Sequence, residues 1–240
     1  MISLTVADDA EAAARLCADR AAVAIERART ERGEAHAALA GGSTPARTYA
    51  LLAERIADWR NVHLWFGDER CVPLDDPDSN HHLLARTLLD RLPADRPQPM
   101  VHAVTRAGEG DPPAAAAAYE RALRALVPSA TTGPPQLDFV LLGLGEDGHT
   151  ASLFPDDPVL EERERLVVAV RGSKPPPDRV TFTLPLLRAG RAIVVLTAGA
   201  GKADAVRATL AGPSSHTPAS LLGEGAAVEL IADRAAAALA

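Results

Sequence analysis

The apolar and polar positions divide the chain into short apolar runs alternating with longer amphipathic or alanine-rich stretches. Ile2–Val6 reads as a strand and Asp8–Glu31 as a long helix, with Asp8 or Asp9 placed to cap it. His36–Ala40 predicts a second strand, and Gly41-Gly42-Ser43-Thr44 leads into a helix from Pro45 to about Ala57. Proline suits a first helical turn because the N–H it lacks would have no partner there. Val62–Phe66 predicts a third strand, ending in Gly67-Asp68-Glu69-Arg70. A polar turn at Asp75–Asp78 precedes Ser79, which is placed to cap a helix through Leu89. Val101–Val104 reads as a strand, Asp111–Val127 as a helix, and Pro128–Pro135 as turns before the apolar run that starts at Leu137. Leu166–Val170 and Val180–Thr183 predict strands on either side of Lys174-Pro175-Pro176-Pro177. Ile193–Leu196 reads as a buried strand, Gly201–Leu210 as a helix, and Val228–Ile231 as the strand that closes the sheet. This alternation predicts the α/β class: an open, mostly parallel sheet with helices on both faces. No stretch reads as a linker, so one domain over residues 1–240 is expected.

Composition narrows the functional classes. Hydrophobic residues make up 47% of the chain and aromatics only 3%, so the core must be built from Ala, Val, Leu and Ile. A formal charge of −7 argues against non-specific binding to nucleic acid or an anionic membrane. Local cations and backbone N–H groups still permit a small anionic ligand. Cys17 and Cys71 are the only cysteines and stand far apart, so neither a disulfide framework nor a thiolate metal site is expected. A reducing, cytoplasmic setting follows as the expectation. Met1–Val6 leads directly into the acidic start of the first helix without a signal-peptide pattern. No apolar run approaches membrane-spanning length.

The candidate chemistry gathers after strands, where open α/β sheets place their ligands. The run from Leu137 to Pro155 ends in glycines, the carboxylates Glu146 and Asp147, and His149. Imidazole exchanges protons near neutral pH, so His149 is the candidate reaction centre. Gly143, Gly145 and Gly148 also satisfy the dinucleotide pattern G-x-G-x-x-G. Glu146 and Asp147 would repel a pyrophosphate there, and Pro155 would interrupt a following helix, so no cofactor is expected. Gly42, Ser43 and Thr44 open a helix and form a candidate phosphate cradle, although a plain capped turn explains the same residues. Arg70 offers a two-pronged grip for an anion, and Asp68 would orient it or bind hydroxyls; a solvated loop with a local ion pair is the alternative. Lys174, Arg179 and Lys202 are further cations, and Lys202 stands where a helix N-terminus disfavours positive charge. There is no G-x-S-x-G elbow and no H-x-x-x-H pair. His81 and His82 would diverge on a helix, and His36, His63, His102 and His216 are isolated in sequence, so no metal site is expected.

The ordered set of these segments resembles the 6-phosphogluconolactonase family of the oxidative pentose phosphate pathway. The residues that carry it are Leu39 to Pro45, Trp65 to Pro73, Asp78-Ser79-Asn80, Gly143 to Pro155, Arg179-Val180-Thr181, and Gly199 with Lys202. The resemblance implies a fold similar to ribose-5-phosphate isomerase and glucosamine-6-phosphate deaminase. It further implies hydrolysis of 6-phospho-D-glucono-1,5-lactone to 6-phospho-D-gluconate, with no redox cofactor. His149 would be the base, with Asp147 or Glu146 holding its tautomer; Ser43, Arg70, Arg179 and Lys202 would hold the phosphate. The expected partner is a small sugar-phosphate lactone, and the expected state a monomer or small homo-oligomer. The sister deaminases are the rival reading. They carry a glutamate five residues after the histidine, where this chain has Phe154, and a tyrosine where it has Arg70. A non-enzymatic sugar-phosphate sensor is the other alternative, but the chain has no spare basic segment for DNA.

Overall fold

The computed structural model describes residues 1–104, 111–129 and 133–240, so the centre of the expected turn at Pro128–Pro135 lies outside the described residues. In chain order the elements are β1 (Ile2–Ala7), α1 (Ala10–Arg32), β2 (Ala35–Leu39), α2 (Ser43–Arg55), β3 (Val62–Phe66) and β4 (Asp68–Arg70). Then come α3 (Asn80–Thr87), β5 (Met100–Val101), α4 (Pro112–Leu126), β6 (Phe139–Gly143), β7 (Val167–Arg171) and β8 (Asp178–Phe182). The remainder is α5 (Leu184–Arg188), β9 (Ile193–Thr197), α6 (Ala203–Leu210), α7 (Pro218–Leu221) and β10 (Val228–Asp233). Asp9, rather than Asp8, caps α1 by accepting from the Ala12 N–H, and Gly33 ends it in the left-handed conformation.

Seven strands form one sheet in the order β1-β10-β9-β6-β2-β3-β5. Every pairing in it is parallel. Alternate residues of each strand serve opposite cores. Ala37, Leu39, Leu64, Phe66, Leu141 and Leu196 pack with α1, α2 and α3. Ala38, Trp65, Val140, Leu142 and Val195 pack with α4 to α7. Both faces are therefore covered, which is why these strands read as unbroken apolar runs. Chain order reverses between the neighbours β2 and β6, so the turns after Leu39 and Gly143 meet at the switch point. Among the described residues no helix is long and apolar enough to cross a membrane.

Five expectations are corrected. Asp68-Glu69-Arg70 is not a loop but the short strand β4, and β7 and β8 do not join the main sheet. The three form a separate antiparallel sheet in the order β4-β8-β7. Gly67 makes the transfer, its N–H donating to Leu39 of the main sheet while its carbonyl accepts from Phe182 of the small one. Helix α2 starts at Ser43, two residues before Pro45, and the strand expected at Val101–Val104 is confined to Met100–Val101. The final strand does not close the sheet, because β1 pairs outside it at the edge.

His36, His63 and His102 are likewise not isolated. The β2–β3 register sets His36 beside His63, with ring centroids 4.4 Å apart. His63 Nδ1 lies 2.9 Å from His102 Nε2, and His102 stacks on Trp65 at 3.9 Å. Burial and the neighbouring imidazoles lower the His102 pKa to about 4, and burial also lowers those of His36 and His63. The unfolded chain takes up these protons near pH 6.5 while the folded chain refuses them, so stability falls as pH drops from about 6.5 towards 4. Urea unfolding midpoints should decline over that window in the parent. His102→Phe should flatten the decline while lowering the midpoint at pH 8, because His63 loses its partner. An equally steep decline in the variant would remove His102 from the effect.

Candidate active site

At the carboxyl ends of β2, β3, β6 and β9 lies a cleft of about 500 Å³. It is lined by Gly42, Ser43, Thr44, Asp68, Arg70, Glu146, His149, Lys174, Arg179 and Lys202. Every sequence-derived binding candidate thus reaches one cavity, and His149 reaches it too. Asp147 stands behind the histidine, its Oδ1 2.5 Å from His149 Nδ1.

The loop after β6 is a series of tight turns, not a helix. Gly145 N–H donates to the His149 carbonyl and Gly148 N–H to that of Gly145, at 2.8 and 3.0 Å. Gly148 needs its positive φ of 82° for this, and Gly145 needs its missing side chain. A Cβ at Gly145 would fall 2.0 Å from His149 Nδ1 and 2.5 Å from Asp147 Oδ1. The turn thereby presses imidazole and carboxylate together. Burial raises the Asp147 carboxyl, but the hydrogen bond and charge interaction with His149 outweigh it, and the net shift is downward. An ionised Asp147 accepts from Nδ1–H, which leaves the lone pair on Nε2.

The cations arrive from the small sheet. The β4–β8 register pairs Arg70 with Arg179, a juxtaposition invisible in the sequence. Arg70 donates to the Asp78 carbonyl, while its buried Nε has no partner among the described residues. Arg179 is 6% exposed and, among the described residues, donates only to the carbonyls of Pro176 and Lys174. Burial first, and the like charge of Arg70 second, push the Arg179 pKa down. Among the described residues neither guanidinium pairs with a carboxylate, so the local ion-pair reading of Arg70 fails. Two neighbouring guanidiniums without a carboxylate in direct contact have the chemistry to hold an anion, although Asp68, Asp78 and Glu69 act on Arg179 from farther off. Across the cleft, Gly42 caps α2 without a side-chain bond, so the first-turn N–H groups of this helix remain available. Lys202 sits in a 3₁₀ turn (Ala200–Lys202) just ahead of α6.

Several supports were not expected from sequence. Asp68 is 7% exposed and accepts from Ser152 Oγ at 2.6 Å, tying the His149 loop to β4. Its carbonyl accepts from Asn80 Nδ2 at 2.7 Å, and Asn80 also occupies the space a Gly41 side chain would need. Glu69 is buried; burial raises its pKa, against the N–H groups of Asn80, His81 and Arg70 that it accepts from. Its role is to fasten α3 to β4 beneath Arg70. His216, isolated in sequence, is exposed and pairs with Asp156 at 2.6 Å.

Two other features invite a ligand and fail on chemistry. Glu34, His36 and His63 bring donor atoms within 4.8 Å of one another. Trp65 Nε1–H donates to His36 Nδ1 at 3.2 Å, so the neutral ring carries its proton on Nε2, the atom facing Glu34. No lone pair remains there for a metal ion. A larger concavity of about 770 Å³ lies at the opposite end of the sheet. Each of its arginines is in contact with a carboxylate, Arg20 with Glu229, Arg27 with Glu31, and Arg32 and Arg191 with Asp138. In the smaller cleft, by contrast, Arg70 and Arg179 have no carboxylate in ion-pair contact among the described residues.

The fold is that of sugar-phosphate isomerases and lactonases. It is shared with a monomeric glucosamine-6-phosphate deaminase, at a TM-score of 0.79 and 23% identity over 99% of this chain and all of that one. Residues 8–231 match the family model of glucosamine-6-phosphate isomerases/6-phosphogluconolactonase, and the chain belongs to this family. Among its relatives, a 6-phosphogluconolactonase of Mycobacterium tuberculosis is 40% identical, over 98% of this chain and 97% of its own. One from Streptomyces coelicolor is 42% identical over 87% and 83%. The solved structure of 6-phosphogluconolactonase from Trypanosoma brucei superposes with a TM-score of 0.84 at 31% identity, over 99% of this chain and 98% of that one.

Proposed function

We propose that this chain is a 6-phosphogluconolactonase, a carboxylic ester hydrolase that converts 6-phospho-D-glucono-1,5-lactone to 6-phospho-D-gluconate. The observation that carries the proposal is one cleft holding an Asp147-oriented His149 together with Arg70 and Arg179, neither of them paired directly with a carboxylate among the described residues. Relatives of about 40% identity with that name support it, since the family model alone spans isomerases as well.

His149 Nε2 takes a proton from water as the water oxygen attacks C1 of the lactone. Asp147 holds Nδ1–H and stabilises the imidazolium that forms. The C1–O5 bond then breaks, and the imidazolium returns its proton to O5, leaving a C1 carboxylic acid that loses its proton to solvent and becomes the carboxylate. Gly145 and Gly148 N–H groups are already committed to carbonyls, so stabilising the oxyanion falls to a lining cation. Arg70, Arg179, Lys202 and the first turn of α2 (Gly42, Ser43, Thr44) hold the distant phosphate and so fix C1 relative to His149. Asp68, held by Ser152 and Asn80, is placed for sugar hydroxyls. The reaction runs in the single domain formed by residues 1–240, and the free thiols of Cys17 and Cys71 suit a cytoplasmic setting.

Loss of one charge-assisted phosphate contact costs about 1.5–3 kcal/mol. Arg70→Ala should therefore raise KM by about 10–150-fold with little change in kcat. Inhibition by inorganic phosphate should weaken in parallel. An unchanged KM would place the phosphate elsewhere.

The rival deaminase needs a carboxylate where Phe154 presents a phenyl ring 5.1 Å from the His149 ring. The discriminating experiment supplies glucosamine 6-phosphate and unphosphorylated glucono-1,5-lactone in parallel with the phosphorylated lactone. No ammonia should appear, and the unphosphorylated lactone should turn over poorly. Ammonia release without lactone hydrolysis would overturn the assignment.

A further inference from the structure

Residues 214–219, which lead into α7, lie against the turn that carries His149. Ala219 N–H donates to the Gly148 carbonyl at 3.1 Å. A Cβ at Gly148 would fall 2.9 Å from Thr217 Cγ2 and 3.1 Å from Thr217 Cα, so Thr217 fills the space beside this glycine. Thr217 is buried and is itself held on both sides. Its N–H donates to the Ser214 carbonyl at 3.1 Å, and its carbonyl accepts from Ser220 Oγ at 2.6 Å. Ser220 Oγ in turn accepts from the Ser214 N–H at 2.9 Å, which closes the support on itself.

The same segment is fastened to the far end of the His149 loop. Asp156 N–H donates to the Ser215 carbonyl at 3.0 Å. One oxygen of its carboxylate accepts from Ser215 Oγ at 2.7 Å, and His216 Nδ1 lies 2.6 Å from the other. Asp156 holds a left-handed backbone, with φ of 57°, that glycine would adopt without strain. What glycine would lack is the carboxylate. Asp156 and His216 are also exposed, and exposed pairs of this kind add little to stability. Strain accepted for so small a stabilising return points to a task other than stability. Residues 148 and 156 are the two ends of the stretch that bears His149, and one segment holds both.

We infer that residues 214–219 brace the catalytic turn: Thr217 buttresses Gly148, and Asp156 latches the brace to the His149 loop through Ser215 and His216. The inference rests on the assignment of His149 and Asp147 as base and orienter. Thr217 and Asp156 are positioning residues, since neither lines the cleft. Gly148 stands between Asp147 and His149 in the chain, so a shift of its peptide moves both. Removing the Thr217 methyl gives the turn room on that side and loosens the aim of the imidazole. Arg70 and Arg179 stand on β4 and β8, which the brace does not touch, so its loss should cost rate rather than binding. A disturbance relayed through α6 instead would reach Lys202, just ahead of that helix, and would raise KM.

The test compares Thr217→Ser, Thr217→Val, Asp156→Gly and Asp156→Asn with the parent. Thr217→Ser removes the methyl and should lower kcat by about 10-fold at unchanged KM, as a small displacement of a catalytic group does. Thr217→Val keeps the methyl and should retain the parent kcat. Asp156→Gly relieves the backbone but deletes the latch; it should lower kcat by about 3–10-fold while the melting temperature holds or rises. Asp156→Asn, which can still bond Ser215 and His216, should restore the rate. The glycine variant alters the surface and carries the test if Thr217→Ser does not fold. A second readout needs no substrate: amide hydrogen exchange at Gly145 and Gly148, whose N–H groups tie the turn. Exchange there should quicken by about 10-fold in Thr217→Ser and Asp156→Gly, with the amides of β6 unchanged. Parent-like kcat and exchange in Thr217→Ser, or a loss of kcat matched by a rise in KM, would overturn the brace. Parent-like kcat in Asp156→Gly would overturn the latch. Failure of the lactone assignment itself would show as absent hydrolysis in the parent, with the exchange pattern unaffected.

Discussion

Replacing His149 by alanine should lower kcat by about 10²–10⁴-fold, the usual share of general acid–base catalysis by one side chain. The cleft offers His149 Nε2 as the free lone pair, because Nδ1 is 2.5 Å from the Asp147 carboxylate. KM should change little, because the cations proposed to hold the phosphate stand on β4, β8 and the turn before α6, apart from the His149 loop. The lactone hydrolyses spontaneously, so the enzyme-free rate must be subtracted before the ratio is taken. Steady-state kinetics at saturating lactone checks the prediction. A variant with kcat near that of the parent would remove His149 from proton transfer and leave the cleft as a binding site only.

Gly145→Ala should be nearly as damaging, although the glycine has no chemistry of its own. A methyl at this position would lie 2.0 Å from His149 Nδ1 and 2.2 Å from Cε1, so the ring must move. Turning the imidazole breaks its bond to Asp147 and withdraws Nε2 from the lactone. A displacement of about 1 Å in a catalytic group can cost about 10²-fold in rate. The groups obstructed are the movable ring and the Asp147 carboxylate rather than backbone, so the thermal midpoint should shift little while kcat falls about 10²-fold or more. Paired measurements of melting and of kcat separate the two effects. An active Gly145→Ala enzyme with normal melting would mean that the His149 rotamer seen here is not the working one.

What was legible in the sequence was local. Asp147, Gly148 and His149 are neighbours in the chain, and Gly42-Ser43-Thr44 follow directly on a strand, so motif and geometry coincide. The parallel sheet could be read because strands buried on both faces are continuous apolar runs. The contacts that complete the site depend on register, which no local pattern encodes. Arg70 meets Arg179 only because a three-residue polar strand, lacking any apolar signature, pairs with β8. Ser152 meets Asp68 across 84 positions of chain. The histidine stack arises because β2 and β3 run parallel with His36 opposite His63, although the two are remote in sequence. Phe154 was recognisable as a departure from the deaminase pattern, but its contact with Arg179 required the fold.

The most direct test of the account is a time course of freshly generated 6-phospho-D-glucono-1,5-lactone at neutral pH, followed by NMR with and without the purified chain. With the protein present, the 1,5-lactone signals should decay and those of 6-phosphogluconate grow far faster than in the enzyme-free sample. Catalytic amounts of protein should suffice, and 6-phosphogluconate should slow the reaction competitively. A time course with the protein that superimposes on the spontaneous one would contradict the account.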